Sequence, residues 1–160
     1  MLKNKSGITL ITLVFIIIII IILTSIFVAT SLRALNEARN SEIQSEKHAL
    51  EGASQNRYVS YIKNDKSTNV ELIGASPSSR WNSVTECIEE VLQYVDLSDL
   101  PELDQKRKKD KISSDIAAHY DEYIKIITVS DAKRLGVDHF LEDSIYVLDY
   151  YTSTAYGPIK

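Results

Sequence analysis

The chain has 160 residues, of which 44% are hydrophobic and 25% charged, with a formal net charge of -4. These averages fit one modest domain and exclude collagenous, low-complexity and disulfide-stapled classes: there are only 5 glycines and 3 prolines, and Cys87 is the sole cysteine. A plain soluble acidic domain is excluded as well, because no charged residue lies between Lys5 and Arg33, Ile16 to Ile22 is unbroken isoleucine, and all 22 acidic residues lie at Glu37 or beyond.

From Ile8 to Leu32 the residues are apolar or small hydroxyl types. As a helix this stretch is about 37 Å long at roughly 1.5 Å per residue. That is enough to cross a hydrocarbon core of about 30 Å with some tilt. Isoleucine is a weak helix former in water, but in lipid the backbone must bond to itself, and a helix results. Thr24, Ser25 and Thr30 can return their hydroxyls to carbonyls of the preceding turn. Lys3, Lys5 and the α-amino group favour a cytoplasmic N-terminus over a flank that holds Arg33 and Arg39. Three readings fit the segment: a cleaved secretory signal ending near Ala29-Thr30-Ser31, an uncleaved signal anchor, and a span processed at its N-terminal border. The apolar core is longer than the 7–15 residues of a secretory signal.

Beyond Ser31 the composition turns polar, yet helical periodicity continues. Leu32, Leu35, Ile43, Leu50, Ala53 and Tyr61 share one face. Glu37, Arg39, Glu46, Lys47, Glu51 and Arg57 are expected on the opposite one. No proline interrupts Leu2 to Pro77, so one helix from about Thr9 to Ile62 is the economical reading, weakened locally by Gly52. A coiled-coil stalk and a helix lying against a head both fit its narrow stripe.

Lys63 to Thr68 is polar and turn-like, Val70 to Ile73 reads as a short strand, and Gly74 to Arg80 as a loop. Ser83 is placed to cap a helix from Val84 to Val95, with Glu86 completing a capping box. Asp96 to Asp104 reads as an acidic loop and Gln105 to Tyr120 as a helix. Glu122 to Val129 reads as a strand, and Ser130 as the cap of a short helix from Asp131 to Leu135 that Gly136 ends. Ser144 to Tyr151 and Ala155 to Ile159 read as two further strands about a turn at Thr152-Ser153-Thr154. The expected fold class is α+β: a long N-terminal helix, transmembrane then amphipathic, packed against a small C-terminal head with an antiparallel sheet and short helices.

The border Lys5-Ser6-Gly7-Ile8-Thr9-Leu10-Ile11-Thr12-Leu13-Val14 joins a basic flank, a glycine and an immediate apolar helix. It resembles the prepilin leader of type IV pilins and type II secretion pseudopilins. The segments Arg134-Leu135-Gly136-Val137-Asp138 and Tyr146-Val147-Leu148-Asp149-Tyr150, with Thr152, Tyr156 and Gly157, resemble the C-terminal end of divergent Gram-positive pilin-like proteins, with Ser153 where a turn glycine is usual. The resemblance implies a leader over residues 1–7, a transmembrane and filament-core helix over 8–32, its extracytoplasmic half over 33–62, and a head over 63–160. It implies cleavage by a prepilin peptidase between Gly7 and Ile8, N-methylation of Ile8, and partners that include membrane lipid, other pilin subunits, an assembly ATPase and a platform protein. The implied location is the cytoplasmic membrane with the N-terminus inside, then an extracytoplasmic filament. Two positions depart from the family. Thr12 stands where most members carry a glutamate that pairs with a neighbour's N-terminal amine, which suits a minor or tip-located subunit. Ala29 stands where many carry a kinking proline. The alternative is an unprocessed single-pass protein with an extracytoplasmic binding domain.

No nucleophile–base pair, carboxylate dyad or glycine-rich phosphate loop stands out, so neither an enzyme nor a cofactor is expected. Cys87 lies on the apolar face of its helix and reads as a small hydrophobe. His48, His119 and His139 lack metal-ligand spacing and read as solvated or partly packed. Asp96, Asp99, Glu102 and Asp104 offer oxygen ligands suited to Ca²⁺ but lack a regular loop pattern, and no metal is expected. The basic run Lys106-Arg107-Lys108-Lys109-Asp110-Lys111 reads as a solvated helix face offsetting that acidic loop, and nucleic acid is not an expected partner. Six of nine tyrosines lie at Tyr120 or later, a distribution that fits both strand preference and a binding surface.

Overall fold

The computed structural model describes residues 5–64, 66, 70–140 and 144–159. Lys3, the first four residues of the expected leader, and positions 65, 67 and 68 of the expected turn lie outside the described residues. The architecture is α+β, with a long N-terminal helix and a C-terminal part holding a three-stranded antiparallel sheet and short helices. The chain divides into two compact units, residues 1–42 and 43–160. Helix α1, Lys5–Lys63, contributes to both.

In the first unit the side chains from Leu10 to Phe27 and on to Leu32 are almost all exposed. The stretch is long and apolar enough to cross a membrane. Its hydroxyls are spent on the helix itself: Thr24, Ser25 and Thr30 donate to the carbonyls of Ile20, Ile21 and Ile26 at 2.7, 2.8 and 3.0 Å. A span with no competing solvent needs this self-sufficiency.

In the second unit, three antiparallel strands run in the order β1 (Ile124–Ile127), β2 (Ile145–Asp149) and β3 (Thr154–Ile159). Both faces of the sheet are apolar. Ile124, Ile126, Val147, Tyr156 and Ile159 meet Cys87 and Val91 of α2 (Val84–Gln93), and Ile112 and Ile116 of α3 (Glu102–His119). On the other face, Ile127, Tyr146, Leu148 and Ala155 meet Leu50 of α1 and Ala132 of α4 (Val129–Arg134). Covering on both faces explains why the strands read as nearly continuous apolar runs rather than alternating ones. The register shifts between Ile145 and Val147, where β3 carries Gly157 and Pro158. Proline fits there because β3 is an edge strand and that ladder position needs no donor.

Local chemistry sets most boundaries. The Ser83 side chain accepts from the backbone N–H of Glu86 at 3.2 Å, as expected of an N-cap, and the Glu86 carboxylate accepts from the Asn82 N–H at 2.8 Å. Helix α2 stops at Gln93 instead of Val95, because the chain turns inward to bury Leu97. Helix α3 starts three residues earlier than expected. The Pro101 carbonyl accepts from the N–H groups of Asp104 and Gln105, and Glu102 and Asp104 fall in the first turn, where negative charge favours a helix. The cap of α4 is Thr128, not Ser130: its hydroxyl and N–H both bond the Asp131 carboxylate, at 2.8 and 3.2 Å, and so end β1 early. Gly136 ends α4 at φ +86, its N–H donating to Lys133 while Val137 donates to Ala132, the paired pattern of a left-handed C-terminal stop.

Two expectations are corrected. Val70 to Ile73 is not a strand. Arg57 donates to the Glu71 carbonyl at 2.9 Å and Tyr150 to the Ile73 carbonyl at 2.9 Å, so side chains take two of the carbonyls a strand partner would have used. A single antiparallel bridge, Ala75 to Ile126, follows. Gly74 makes that approach possible: at φ +122, a Cβ there would lie 2.8 Å from the Ile126 carbonyl oxygen. Nor is Glu46 on an outer face of α1. It is 4% exposed, one turn from fully buried Leu50, and accepts from the Tyr146 hydroxyl at 2.6 Å. At 100° per residue, positions four apart share a face, so Glu46, Leu50 and Ser54 form the buried stripe.

Because Leu50 fills the sheet's second face, Leu50→Ala should cost about 3 kcal/mol. The exposed Val59→Ala should cost less than about 0.5 kcal/mol. Urea unfolding followed through Trp81, the buried sole tryptophan, reads both.

Candidate functional site

The residues expected at the processing border, Gly7 and Ile8, fall in the first turns of α1, and Thr12 lies on the same helix amid exposed apolar side chains. The second unit instead brings together residues that have no sequence proximity.

Its organising group is Asp149, the last residue of β2, fully buried. One carboxylate oxygen accepts from the backbone N–H groups of Tyr151 and Thr152, at 2.9 and 3.4 Å. The other lies 2.9 Å from His119 Nδ1, at the end of α3. The pair therefore fixes the turn between β2 and β3 and the orientation of the imidazole together. The turn ends on Ser153 at φ +54, the left-handed conformation for which glycine is usual.

Two tyrosines meet that histidine, and a third packs against them. The Tyr151 ring lies 4.4 Å from His119, centroid to centroid, at an interplanar angle of 36°. Tyr123, just before β1, stands 5.6 Å from Tyr151 and 6.0 Å from His119. Tyr58 of α1 meets Tyr123 edge-on at 5.6 Å and Tyr151 at 6.0 Å. Such offset and edge-to-face arrangements suit the ring quadrupoles. Tyr151 is nonetheless 56% exposed. Burial, with the neighbouring tyrosines, raises the Tyr58 hydroxyl above its usual range, so it stays a neutral donor.

At the rim, Lys66 donates to Glu122 and to the Tyr123 hydroxyl, and sits 5.4 Å over the Tyr123 ring. Hydrogen bonds to Glu122 and Tyr123 hold the Lys66 ammonium above its usual range, and the bond from Lys66 holds the Glu122 carboxyl below its own. The rim thus pairs its charges internally.

The other candidates separate. Cys87 is fully buried, and burial pushes its thiol up to about 12, so it packs as a small hydrophobe. His48 lies 3.4 Å from Glu51, one helical turn away, and His139 is exposed in a loop. Asp96 closes a local turn by accepting from Ser98, while Glu102 and Asp104 start α3. Among the described residues no group of three or more His, Cys, Asp or Glu side chains could hold a metal ion. Lys106 to Lys111 are exposed along α3.

His119 and Asp149 are 30 residues apart, and no spacing announces the pair. The available signal was a single carboxylate in an apolar strand directly before a turn. No family model matches the chain, and no curated protein or solved structure matches it.

Removing the Asp149 carboxylate leaves two turn N–H groups and an imidazole without their acceptor. Asp149→Ala should therefore cost roughly 3 kcal/mol and Asp149→Asn less, since the amide oxygen still accepts from the turn. Urea midpoints of the two variants, compared with His119→Ala, measure this order.

Proposed function

We propose that the chain is a pilin-like structural subunit. It is inserted in the cytoplasmic membrane through residues 8–32 with its N-terminus inside, cut after Gly7 by a prepilin peptidase, and then assembled with other subunits into a type IV pilus or secretion-type pseudopilus. The carrying observation is the border Lys5-Ser6-Gly7-Ile8 opening directly into a stretch without charge as far as Leu32, within a helix that continues unbroken to Lys63. A glycine suits the cut because a side chain there would crowd a protease. An apolar, uncharged helix suits assembly because lipid tails and protein side chains are close to interchangeable neighbours, so packing governs association.

Thr12 supports a minor or tip position. A hydroxyl accepts a hydrogen bond from an adjacent ammonium but does not neutralise it, and an uncompensated charge is costly inside an apolar bundle. The second reading is an unprocessed anchored protein with an extracytoplasmic binding head, favoured by the exposed Tyr151 cluster. Intact mass of the chain from cells separates the two. A processed subunit lacks Met1 to Gly7, with or without an added methyl on Ile8. Gly7→Val should abolish the cut and leave membrane insertion intact. A full-length mass in the presence of active prepilin peptidase, or normal processing of Gly7→Val, would overturn the proposal.

A further inference from the structure

The ring cluster of the head has features that its role in packing does not require. Tyr151 stands in the turn that follows β2, more than half exposed. Its position is fixed from beneath. Asp149, buried in the sheet, binds the Tyr151 N–H and orients His119, and His119 supports the Tyr151 ring at 4.4 Å. A ring held this way presents a face at little entropic cost to whatever stacks on it. Tyrosine has the further advantage of combining large area with few rotatable bonds.

Three properties narrow the occupant. The exposed ring is Tyr151, flanked by the half-buried rings of Tyr58 and Tyr123, and each of the three carries a hydroxyl, so an apolar helix is poorly matched. The rim charges, Lys66 and Glu122, neutralise one another, so neither a polyanion nor a cationic peptide gains from this surface. The hydroxyls of Tyr58, Tyr123 and Tyr151 edge the rings. Faces that attract polarised C–H groups, bordered by hydrogen-bonding groups and without net charge, match a neutral pyranose. A β-1,4-linked chain matches best: its equatorial substituents leave flat C–H faces for stacking and turn the hydroxyls to the edge.

We infer that the Tyr58–Tyr123–Tyr151 surface is a binding site for a neutral β-1,4-linked glycan, with one pyranose ring stacked on Tyr151. The site serves a processed filament subunit and an unprocessed anchored head alike, so it does not depend on cleavage at Gly7.

The test uses the full chain in phosphocholine micelles, which carry no sugar headgroup, with cellotetraose and chitotetraose as probes in saturation-transfer NMR. Transfer to the ring C–H protons of a tetrasaccharide is expected, insensitive to added salt because no net charge is engaged. Tyr151→Ala should weaken binding roughly five- to tenfold, the loss of one stacked ring. Tyr151→Phe and Tyr151→Trp should retain it. Absence of transfer to both probes overturns the inference, as does transfer that Tyr151→Ala leaves unchanged. Self-association of the chain through Tyr151 in place of saccharide binding also overturns it.

Discussion

A three-stranded sheet that is apolar on both faces must be covered twice, and the rest of the head follows from that constraint. Helices α2 and α3 supply one cover. The other is the C-terminal part of α1, together with the short α4. The long helix is therefore not merely a tether for a finished domain. From Ile43 onward it is a structural component of the unit it belongs to: Leu50 fills the core, Glu46 receives the Tyr146 hydroxyl, and Glu51 accepts from the Ala155 N–H on the edge strand. The polar contacts matter because an edge strand with open N–H groups invites unwanted pairing. The opposite edge is closed by the Ala75 bridge to β1.

The ring cluster depends on the same sheet. Asp149 ends the central strand, which allows one carboxylate to serve the turn beyond it and the histidine above it. A buried carboxylate is tolerable only when its oxygens are occupied, and here both are. Packing in the sheet thus sets the position of Tyr151, and rigidity at the base gives the exposed ring its value as a binding face.

Features governed by neighbours in sequence were legible before the structure. Ser83 caps α2, Gly136 stops α4, and three of the expected strands occur close to their expected positions. Features governed by distant partners were not. Val70 to Ile73 has strand-like residues, yet the carbonyls of Glu71 and Ile73 accept from Arg57 and Tyr150 side chains that only tertiary structure delivers. Glu46 has an exposed residue's chemistry and a buried residue's position, because Tyr146 lies 100 residues away in the chain. The start of α3 was hidden by Glu102 and Asp104, which are as common in acidic loops as in first helical turns. The His119–Asp149 pair left no periodic trace at all.

The first unit poses the larger functional question. Its helix exposes isoleucine, leucine and phenylalanine along its length and keeps its hydroxyls bonded to its own backbone. Such a surface is at home in lipid and equally at home among copies of itself. The proposed double use, membrane anchor and then filament core, is tested most directly by cross-linking. Thr24→Cys places a thiol in the span, while native Cys87 stays buried. In filaments sheared from cells without detergent, a thiol-attached photo-cross-linker on Thr24→Cys should join the chain through its span to a neighbouring subunit, which need carry no cysteine of its own. Recovery of the chain solely in the membrane fraction, with no span-to-span cross-link, would contradict the proposed second use.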